Sequence, residues 1–288
     1  MKRVQIFLTV QAGKWMIAQA IAGLDEVQAA LRRGTLALKA GTTTSCLSWL
    51  LTGRHLRLCG RMTPRGAVAA LKESQAPHTV LLGGGGMTSL DGREREGLLA
   101  LGPEGVLVTG ANLIDCQGNA AMLAGSPGGG TYGAALGAIM AEGLRVLIAA
   151  GTEKLTPGTV PLAVQQAQRK GVEASWGMAC GLIPVAGTVI TEVDAIRMLA
   201  PVQAVLMGKG GVCGAEGGSL LQVWGEDGDV DRIWALAKQC LDNPMSGTEE
   251  SLAECRPGAR GCGEHLACVH RKGQPPGETA GERGAAAP

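Results

Sequence analysis

The chain has 288 residues and a net charge of +1, and aromatic residues make up only 2% of it. So few rings and so little excess charge argue against a nucleic-acid-binding surface, which needs stacking platforms or a basic face. No apolar run approaches the roughly 18 residues that span a bilayer, and the nine scattered cysteines make a poor disulfide framework, so we expect a cytoplasmic protein that contacts neither nucleic acid nor membrane.

Short β-prone runs alternate with helical periodicity through residues 1–187. A first strand, VQIFLTV, precedes one predicted helix over 14–31, and a second strand at 35–40 leads into a helix over TTTSCLSWLL. Further strands, each followed by glycine, are predicted at 78–82, 105–109 and 145–150. This alternation indicates an α/β fold with a mostly parallel, Rossmann-like sheet and helices on both faces, because parallel strands need crossover helices.

The pattern changes near residue 188. The order strand, helix, strand, glycine loop, strand, helix predicts a small C-terminal α+β unit at 188–243 beside an α/β ligand-binding domain at 1–187. One apolar face is predicted for the last helix, formed by Val230, Ile233, Trp234, Leu236 and Ala237. The segment 244–288 is rich in Gly, Pro, Glu and Arg and is expected to be a disordered tail.

The sharpest local motif is the run Gly41, Thr42, Thr43 and Thr44, placed where a strand turns into a helix. Free backbone N–H groups at the start of a helix, with hydroxyls beside them, form an anion site that the helix dipole reinforces. The alternative is that Thr42 or Thr43 merely caps the helix.

Four segments follow one another along the chain: AGTTT, LLGGGGM at 81–87, GANLIDCQGN at 110–119 and LIAAGTEKL at 147–155. In this order they resemble the effector domain of DeoR-type sugar regulators, which belongs to the ribose-5-phosphate isomerase and CoA-transferase superfamily. The resemblance covers roughly residues 14 to 160. It implies a site for a phosphorylated sugar at the strand ends, with the AGTTT loop holding the phosphate and Lys154 facing it, and we predict no cofactor.

Candidate catalytic residues follow from the same segments. The resemblance matches Lys154 to the family lysine, and Asp115 and Glu153 are the nearest carboxylates that could exchange protons in an aldose–ketose isomerisation. Glu153 and Lys154 could equally be a solvated surface pair. GANLIDCQGN also resembles a segment of methylthioribose-1-phosphate isomerases, but Asn112 and Asn119 stand where that family has aspartates, and an amide cannot act as the base.

Further ligand contacts are predicted in the glycine loops, at Gly84, Gly85, Gly110, Asn112, Asn119, Ser126 and Gly129. The run at 124–137 is too rich in glycine for a packed helix start and would allow close backbone approach to a ligand, with Ser126, Thr131 and Tyr132 as donors. A flexible lid is the alternative for this run.

Two other motifs are weaker. CoA-transferase relatives use a glutamate nucleophile in a glycine-rich context, so Glu216 in KGGVCGAEGGS is a candidate, although a tight turn between two strands explains that segment better. Soft metal ligands cluster in the tail at Cys255, Cys262, His265, Cys268 and His270, but their spacing matches no zinc pattern and we predict no metal.

The sequence thus favours a protein that binds a small anionic, phosphorylated sugar-like metabolite and isomerises it if it is an enzyme. Two alternatives stay open: a non-catalytic sensor that acts through a protein partner, and an acyl or CoA transferase. The sequence leaves the identity of the ligand and homo-oligomer formation undecided.

Overall fold

The computed structural model describes residues 1–69, 75–256, 258, 262 and 265–270. Its helices are α1 (Val10–Ala22), α2 (Asp25–Arg33), α3 (Thr42–Thr52), α4 (Glu94–Leu99), α5 (Gly130–Ala141), α6 (Val160–Gln166), α7 (Glu192–Leu199), α8 (Asp227–Leu241) and α9 (Glu249–Leu252). Its strands are β1 (Lys2–Leu8), β2 (Leu36–Lys39), β3 (Gly60–Thr63), β4 (Gly66–Ala69), β5 (Thr79–Gly83), β6 (Gly86–Ser89), β7 (Val106–Thr109), β8 (Leu113–Ile114), β9 (Ala120–Ala124), β10 (Arg145–Ala149), β11 (Gly181–Val185), β12 (Thr188–Ile190), β13 (Gln203–Gly210) and β14 (Gly218–Gly225). Across these residues, no helix combines the length and the apolar character needed to cross a membrane.

The largest sheet has the strand order β12-β10-β7-β2-β5-β6. The first four strands run parallel, and β5 and β6 continue the sheet antiparallel. The fold is therefore mixed α/β with a mostly parallel sheet, as predicted. We call the edge at which β2, β7, β10 and β12 end the carboxyl edge, because ligands collect at such strand ends in open α/β sheets.

Both faces of this sheet are buried. Leu36 and Leu38 of β2 belong to an apolar core shared with α1, α2, α3, α7 and α8, whereas Ala37 points into a second core that includes residues of α4 and α5. Successive side chains of a strand point to opposite faces, so a strand buried on both sides reads as a continuous apolar run. Helices cover both faces, as the sequence pattern predicts.

Three smaller sheets complete the architecture: antiparallel β1-β14-β13, antiparallel β8-β9-β11 and the hairpin β3-β4. The elements after residue 188 follow the predicted order. However, β12 joins the large sheet and β1 pairs with β14 along its whole length. Strand pairing therefore crosses the division predicted at residue 188, and that division stays a prediction about folding units.

The single helix predicted over 14–31 is wrong, because two helices occupy this stretch. Gly23 closes α1, with its N–H donating to the carbonyls of Gln19 and Ala20 at 3.2 Å. Leu24 is extended, and Asp25 begins α2, where its charge suits the positive end of the helix dipole. Apolar periodicity continues through the break, so the glycine was the only signal of it.

The outer face of α8 differs from the prediction. Val230, Ile233 and Ala237 are buried, but the Trp234 side chain is 40% exposed and the Lys238 ammonium lies 5.9 Å from its ring centroid. A position next to a buried residue on a helix turns about 100° away from it, which is enough to bring Trp234 to the surface.

Residues 244–256 pack onto the fold, contrary to the expectation of disorder for this part of the tail. The Pro244 carbonyl accepts hydrogen bonds from Gln11 Nε2 at 2.6 Å and Trp15 Nε1 at 2.9 Å. Ser246 is fully buried. The buried Trp15 indole needs an acceptor, and a polar segment supplies it although its composition alone could not form a core. The segment GQPPGETAGERGAAAP lies outside the described residues.

Candidate functional site

Three predicted loops meet at the carboxyl edge. Gly41 follows β2, Gly110 follows β7, and Gly151 follows β10 and leads into a short 3-10 turn at Thr152–Lys154. Because these strands are parallel neighbours, their ends lie side by side. The structure therefore brings the AGTTT loop, Gly110 and the Glu153–Lys154 pair to one edge.

The turn before α3 is built by Thr44, which is fully buried. Its hydroxyl accepts the Gly41 N–H at 2.6 Å and donates to the Lys39 carbonyl at 2.8 Å. The hydroxyl of Thr43 is also buried, at 2% exposure, and has no partner among the described residues. Thr44, rather than Thr42 or Thr43, closes the helix start, so the buried Thr43 hydroxyl is not used as a cap.

Beside this loop lies a group of charged side chains that we call the Lys–Glu cluster. Its members are Lys14, Glu153, Lys154, Glu192 and Lys209, together with the hydroxyls of Thr152 and Ser219. Sequence reasoning identified only Glu153 and Lys154. Thr152 lies in the same turn, and the other members come from α1, α7, β13 and β14, which the fold brings to the end of β10.

Glu192 holds the cluster together. Its carboxylate, 3% exposed, accepts the Thr152 N–H at 2.9 Å, the Ser219 hydroxyl at 2.6 Å and the Thr152 hydroxyl. Lys209 Nζ donates in turn to the oxygens of Thr152 at 2.9 Å and Ser219 at 3.0 Å. The two hydroxyls therefore link a cation to a buried carboxylate and fix the turn that carries Glu153 and Lys154.

Glu153 and Lys154 do not form a solvated surface pair. Their side chains are only 18% and 20% exposed, with Lys154 Nζ 3.9 Å from Glu153 Oε1, and that oxygen has no hydrogen-bond partner in the described chain. Burial lowers the pKa of Lys154 to about 8, against the raising effect of Glu153. An amine that titrates near neutral pH and a carboxylate with a free oxygen are suited to proton exchange.

Lys14 connects the two halves of the site. It is 8% exposed, and burial lowers its pKa while Glu153 and Cys46 of α3 oppose that shift. A Cβ on the neighbouring Gly13 would lie 3.6 Å from the Glu192 Cβ, which places the start of α1 against the cluster. A single lysine within the apolar run VQAGKWMIAQAIA was the signal that sequence reasoning missed.

A further, partly buried cation lies on the other face of the sheet. Lys39 ends β2, burial lowers its pKa, and its Nζ donates to Met122 Sδ at 3.3 Å. A thioether is a weak acceptor that carries no charge. Lys39 therefore lacks a strong partner for its ammonium at this contact.

Asp115 lies at the tip of the β8–β9 hairpin and has a structural position. Its carboxylate accepts the N–H groups of Val160 at 2.9 Å and of Gln117 and Asn119 at 3.0 Å. The Asn119 side-chain amide also donates to it, at 3.0 Å. These donors, Val160 foremost, hold the pKa of Asp115 below its usual value. A carboxylate with four hydrogen bonds and a low pKa is a weak base.

Replacing Asp115 with alanine is expected to lower the melting temperature at pH 7. Its depressed pKa means that its stabilisation is present above the ordinary value of 3.8 and is lost as the pH falls through the folded-state pKa. The difference in melting temperature between Asp115→Ala and wild type should therefore become smaller below pH 4, as measured by thermal unfolding at a series of pH values. Asp242→Ala, an exposed control, should show no such gap, and a gap that stays constant into acid would contradict this assignment.

Asn112 is hydrogen-bonded to β9, because its Oδ1 accepts the Leu123 N–H at 3.0 Å. Met122 of the same strand contacts Lys39, and Ser126 and Gly129 lie in the loop that follows the strand. The prediction that 124–137 is all loop is wrong, because α5 begins at Gly130. The three glycines at 128–130 have positive φ and allow the tight turn into that helix.

Tyr132, in the first turn of α5, was predicted to donate a hydrogen bond to the ligand. It is 2% exposed, and its hydroxyl has no partner in the described chain. Burial raises the pKa of this phenol to about 12, so the hydroxyl keeps its proton at neutral pH.

Gly84 and Gly85 are not brought to this site. They form the turn of the β5–β6 hairpin, with φ of 59° and 76°. Because β5 runs antiparallel to β2 and pairs Leu82 with Leu36, its end lies at the opposite edge of the sheet. The four-glycine run ends a strand as predicted, but that strand points away from the AGTTT loop.

Glu216 lies in the exposed turn between β13 and β14, where Oε1 accepts the Gly214 N–H at 3.3 Å. Residues 211–217 connect two antiparallel strands, so this segment is a turn between strands, although at seven residues it is longer than a tight turn. In the described part of the tail, no three His, Cys, Asp or Glu side chains come together as a metal site.

Comparisons of the chain with protein-family models, curated proteins and solved structures found no match. The resemblance to the DeoR-type effector domain and its superfamily thus stays a prediction. What supports a function is the arrangement of cations, hydroxyls and one free carboxylate oxygen at the carboxyl edge.

Proposed function

We propose that the chain binds a small anionic metabolite of the phosphorylated-sugar type at the carboxyl edge. The observation that carries this proposal is the presence there of three largely buried lysines, Lys14, Lys39 and Lys154, whose pKa values burial lowers. In the described chain, the only ion pair among them is the 3.9 Å contact of Lys154 with Glu153. Burying ammonium groups without close counter-charges costs several kcal/mol each, and an anionic ligand would offset that cost.

The two parts of such a ligand would meet different groups. A phosphate placed at the start of α3 would meet the Thr43 hydroxyl and the helix dipole, with Lys14 supplying positive charge from α1. The sugar would extend toward the end of β10, where Glu153 and Lys154 lie. Charged and hydroxyl groups at two ends fit a molecule that combines an anion with polyhydroxyl chemistry.

If the bound sugar is isomerised, Glu153 is the better base of the two candidates. Its Oε1 accepts no hydrogen bond from the described residues, whereas Asp115 accepts four. Glu153 would take the proton from the carbon beside the carbonyl and return it to the former carbonyl carbon, while the Lys154 ammonium stabilises the enediolate oxygen. The hydroxyl proton of the first carbon passes to the former carbonyl oxygen, so the conversion moves two hydrogens within one molecule and needs no other reactant.

The second candidate is a sensor that binds the same ligand without turnover. Two observations favour it: the Asp115 carboxylate is engaged in hydrogen bonds to the surrounding chain, and Asn112 and Asn119 carry amides rather than carboxylates. Among these candidates, only the Glu153 carboxylate is then left for proton transfer. Such a sensor would signal through a protein partner. Saturable sugar-phosphate binding without any isomerisation of the bound sugar would support it.

A thermal-shift screen against sugar phosphates, nucleotides, CoA esters and free phosphate tests the proposal. Ligand at about 100 times its Kd stabilises the native state by about 2.7 kcal/mol, which corresponds to roughly 5 to 10 °C for a chain of this size. Thr43→Val should lose that shift, and Thr88→Val, exposed on β6 at the other end of the sheet, should keep it. No stabilisation by any anion would contradict the proposal.

A further inference from the structure

A concavity lies at the far end of α3, away from the carboxyl edge. It is open to solvent and has a volume of about 840 Å³, and its lining includes Trp49, Arg54, His55, Met87, Thr248 and Leu252. This volume is within the range of small-molecule sites. Trp49 follows Thr42 by about 10 Å along the helix axis, so the groove is separate from the AGTTT loop. We call it the Trp49 groove.

Two stacked rings form one wall of the groove. The centroids of Trp49 and His55 lie 4.4 Å apart with an interplanar angle of 13°. Trp49 is nevertheless 44% exposed. Since His55 covers one face of the indole, a ligand ring would have to stack on the other face. A planar ring from a ligand could extend the stack there.

Buried hydroxyls hold His55 in place. Its Nδ1 lies 2.9 Å from Ser246 Oγ, which donates to Ser45 Oγ at 2.8 Å, and Ser45 Oγ accepts the Leu56 N–H at 3.0 Å. Both serines are fully buried. Because the Ser246 proton is directed to Ser45, His55 Nδ1 is the donor and Nε2 is left as an acceptor. The ring stack is thus fixed before any ligand arrives, which lowers the entropy cost of binding.

The groove also contains a cation that forms no ion pair with any described residue. Arg54 is exposed, and in the described part of the chain its guanidinium has no ion pair. Met87 and Leu252 supply apolar surface beside it. Glu249, at the start of α9, also lines the groove and would repel an anion placed close to it.

We propose that the Trp49 groove is a second ligand site, which takes a small planar aromatic molecule that carries an acidic group. The ring stacks on the open face of Trp49, and the acidic group pairs with Arg54. Stacking on an aromatic side chain and a bidentate hydrogen bond from arginine each contribute substantially to binding affinity. This inference does not depend on the function proposed for the carboxyl edge.

The test is a titration of the ¹⁵N-labelled full chain with 2-naphthoate, followed at the indole N–H resonances of the tryptophans. We expect the Trp49 resonance to shift with a Kd tighter than about 1 mM, and 2-naphthamide and cyclohexanecarboxylate to bind about tenfold more weakly or worse. Trp49→Leu and Arg54→Gln should each weaken binding of 2-naphthoate about tenfold.

Two exposed residues elsewhere provide matched controls: Trp234→Leu and Arg95→Gln should leave the Kd within about twofold. Glu249→Gln should tighten binding, since it removes the repelling charge. The proposal is overturned if the Trp49 resonance does not move, if the amide binds as tightly as the carboxylate, or if Glu249→Gln weakens binding.

Discussion

Lys154→Gln is expected to weaken binding of ribose 5-phosphate on the order of 10- to 100-fold and to leave the melting temperature equal to or above that of wild type. The loss follows from removing a charged hydrogen-bond donor from a site with little water. The second effect follows from the pKa of about 8, which means that keeping Lys154 charged costs the fold on the order of 3 kcal/mol. Titration calorimetry and thermal unfolding measure the two effects.

The pH dependence of Lys154→Gln tests whether the cost of charging Lys154 explains its effect on stability. The cost of charging Lys154 is present below pH 8 and disappears as the pH rises toward its usual value of 10.5, so the stability advantage of Lys154→Gln should disappear over the same range. Wild-type affinity for ribose 5-phosphate should fall as the pH rises through 8. Lys170→Gln, an exposed control, should match wild type in both measurements. A variant that loses stability and affinity together would show that Lys154 is structural.

Glu192→Ala is expected to give the largest loss of stability of any single substitution in the Lys–Glu cluster. It removes the buried acceptor of the Thr152 N–H and of two hydroxyls. Breaking a buried, hydrogen-bonded charge costs about 3 to 5 kcal/mol, which lowers the melting temperature of a chain of this size by roughly 10 °C.

Chemical denaturation of Glu192→Ala measures this loss directly. The exposed Glu216→Ala serves as the matched control and should change the free energy of unfolding by less than about 0.5 kcal/mol. Ser219→Ala should fall between the two, because it removes one of the three donors to Glu192. Wild-type stability in Glu192→Ala would mean that the network does not hold the β10 turn in place.

Local sequence signals were sufficient where a strand, its turn and the next helix are consecutive in the chain. The stretch 35–51 predicted β2, the glycine turn and α3, and the same reasoning located β7 and β10 with the glycines that follow them. Apolar periodicity and glycine punctuation are local properties, so one sequence can reveal them. The parallel sheet then follows from the need for crossover helices.

The direction of β5 in the sheet could not be predicted from the sequence. The run at 81–87 has the same apolar strand and glycine end as the other motifs, yet β5 is antiparallel and its glycines form a hairpin. Which neighbour a strand pairs with depends on contacts far apart in sequence. Gly84 and Gly85 were therefore predicted to lie at the carboxyl edge, whereas they lie at the opposite edge of the sheet.

The same dependence on distant contacts explains why some residues of the site were not predicted. Lys14, Glu192 and Lys209 lie on α1, α7 and β13, and only the packing of those elements around the end of β10 brings them together. Glu192 follows Thr191, which caps α7 with Asp194, so its sequence context suggests an ordinary first-turn carboxylate. Nothing in the local sequence around Glu192 distinguishes a buried carboxylate that accepts several hydrogen bonds from a solvent-exposed one.

Hydrogen exchange with and without saturating ribose 5-phosphate tests the central claim most directly, because it locates the bound anion on the chain. We predict slower exchange in two segments, residues 41–45 at the start of α3 and 151–155 after β10, and unchanged exchange at Gly84 and Gly85. Protection at neither of these two segments, or protection confined to the Trp49 groove, would contradict the assignment of the site to the carboxyl edge.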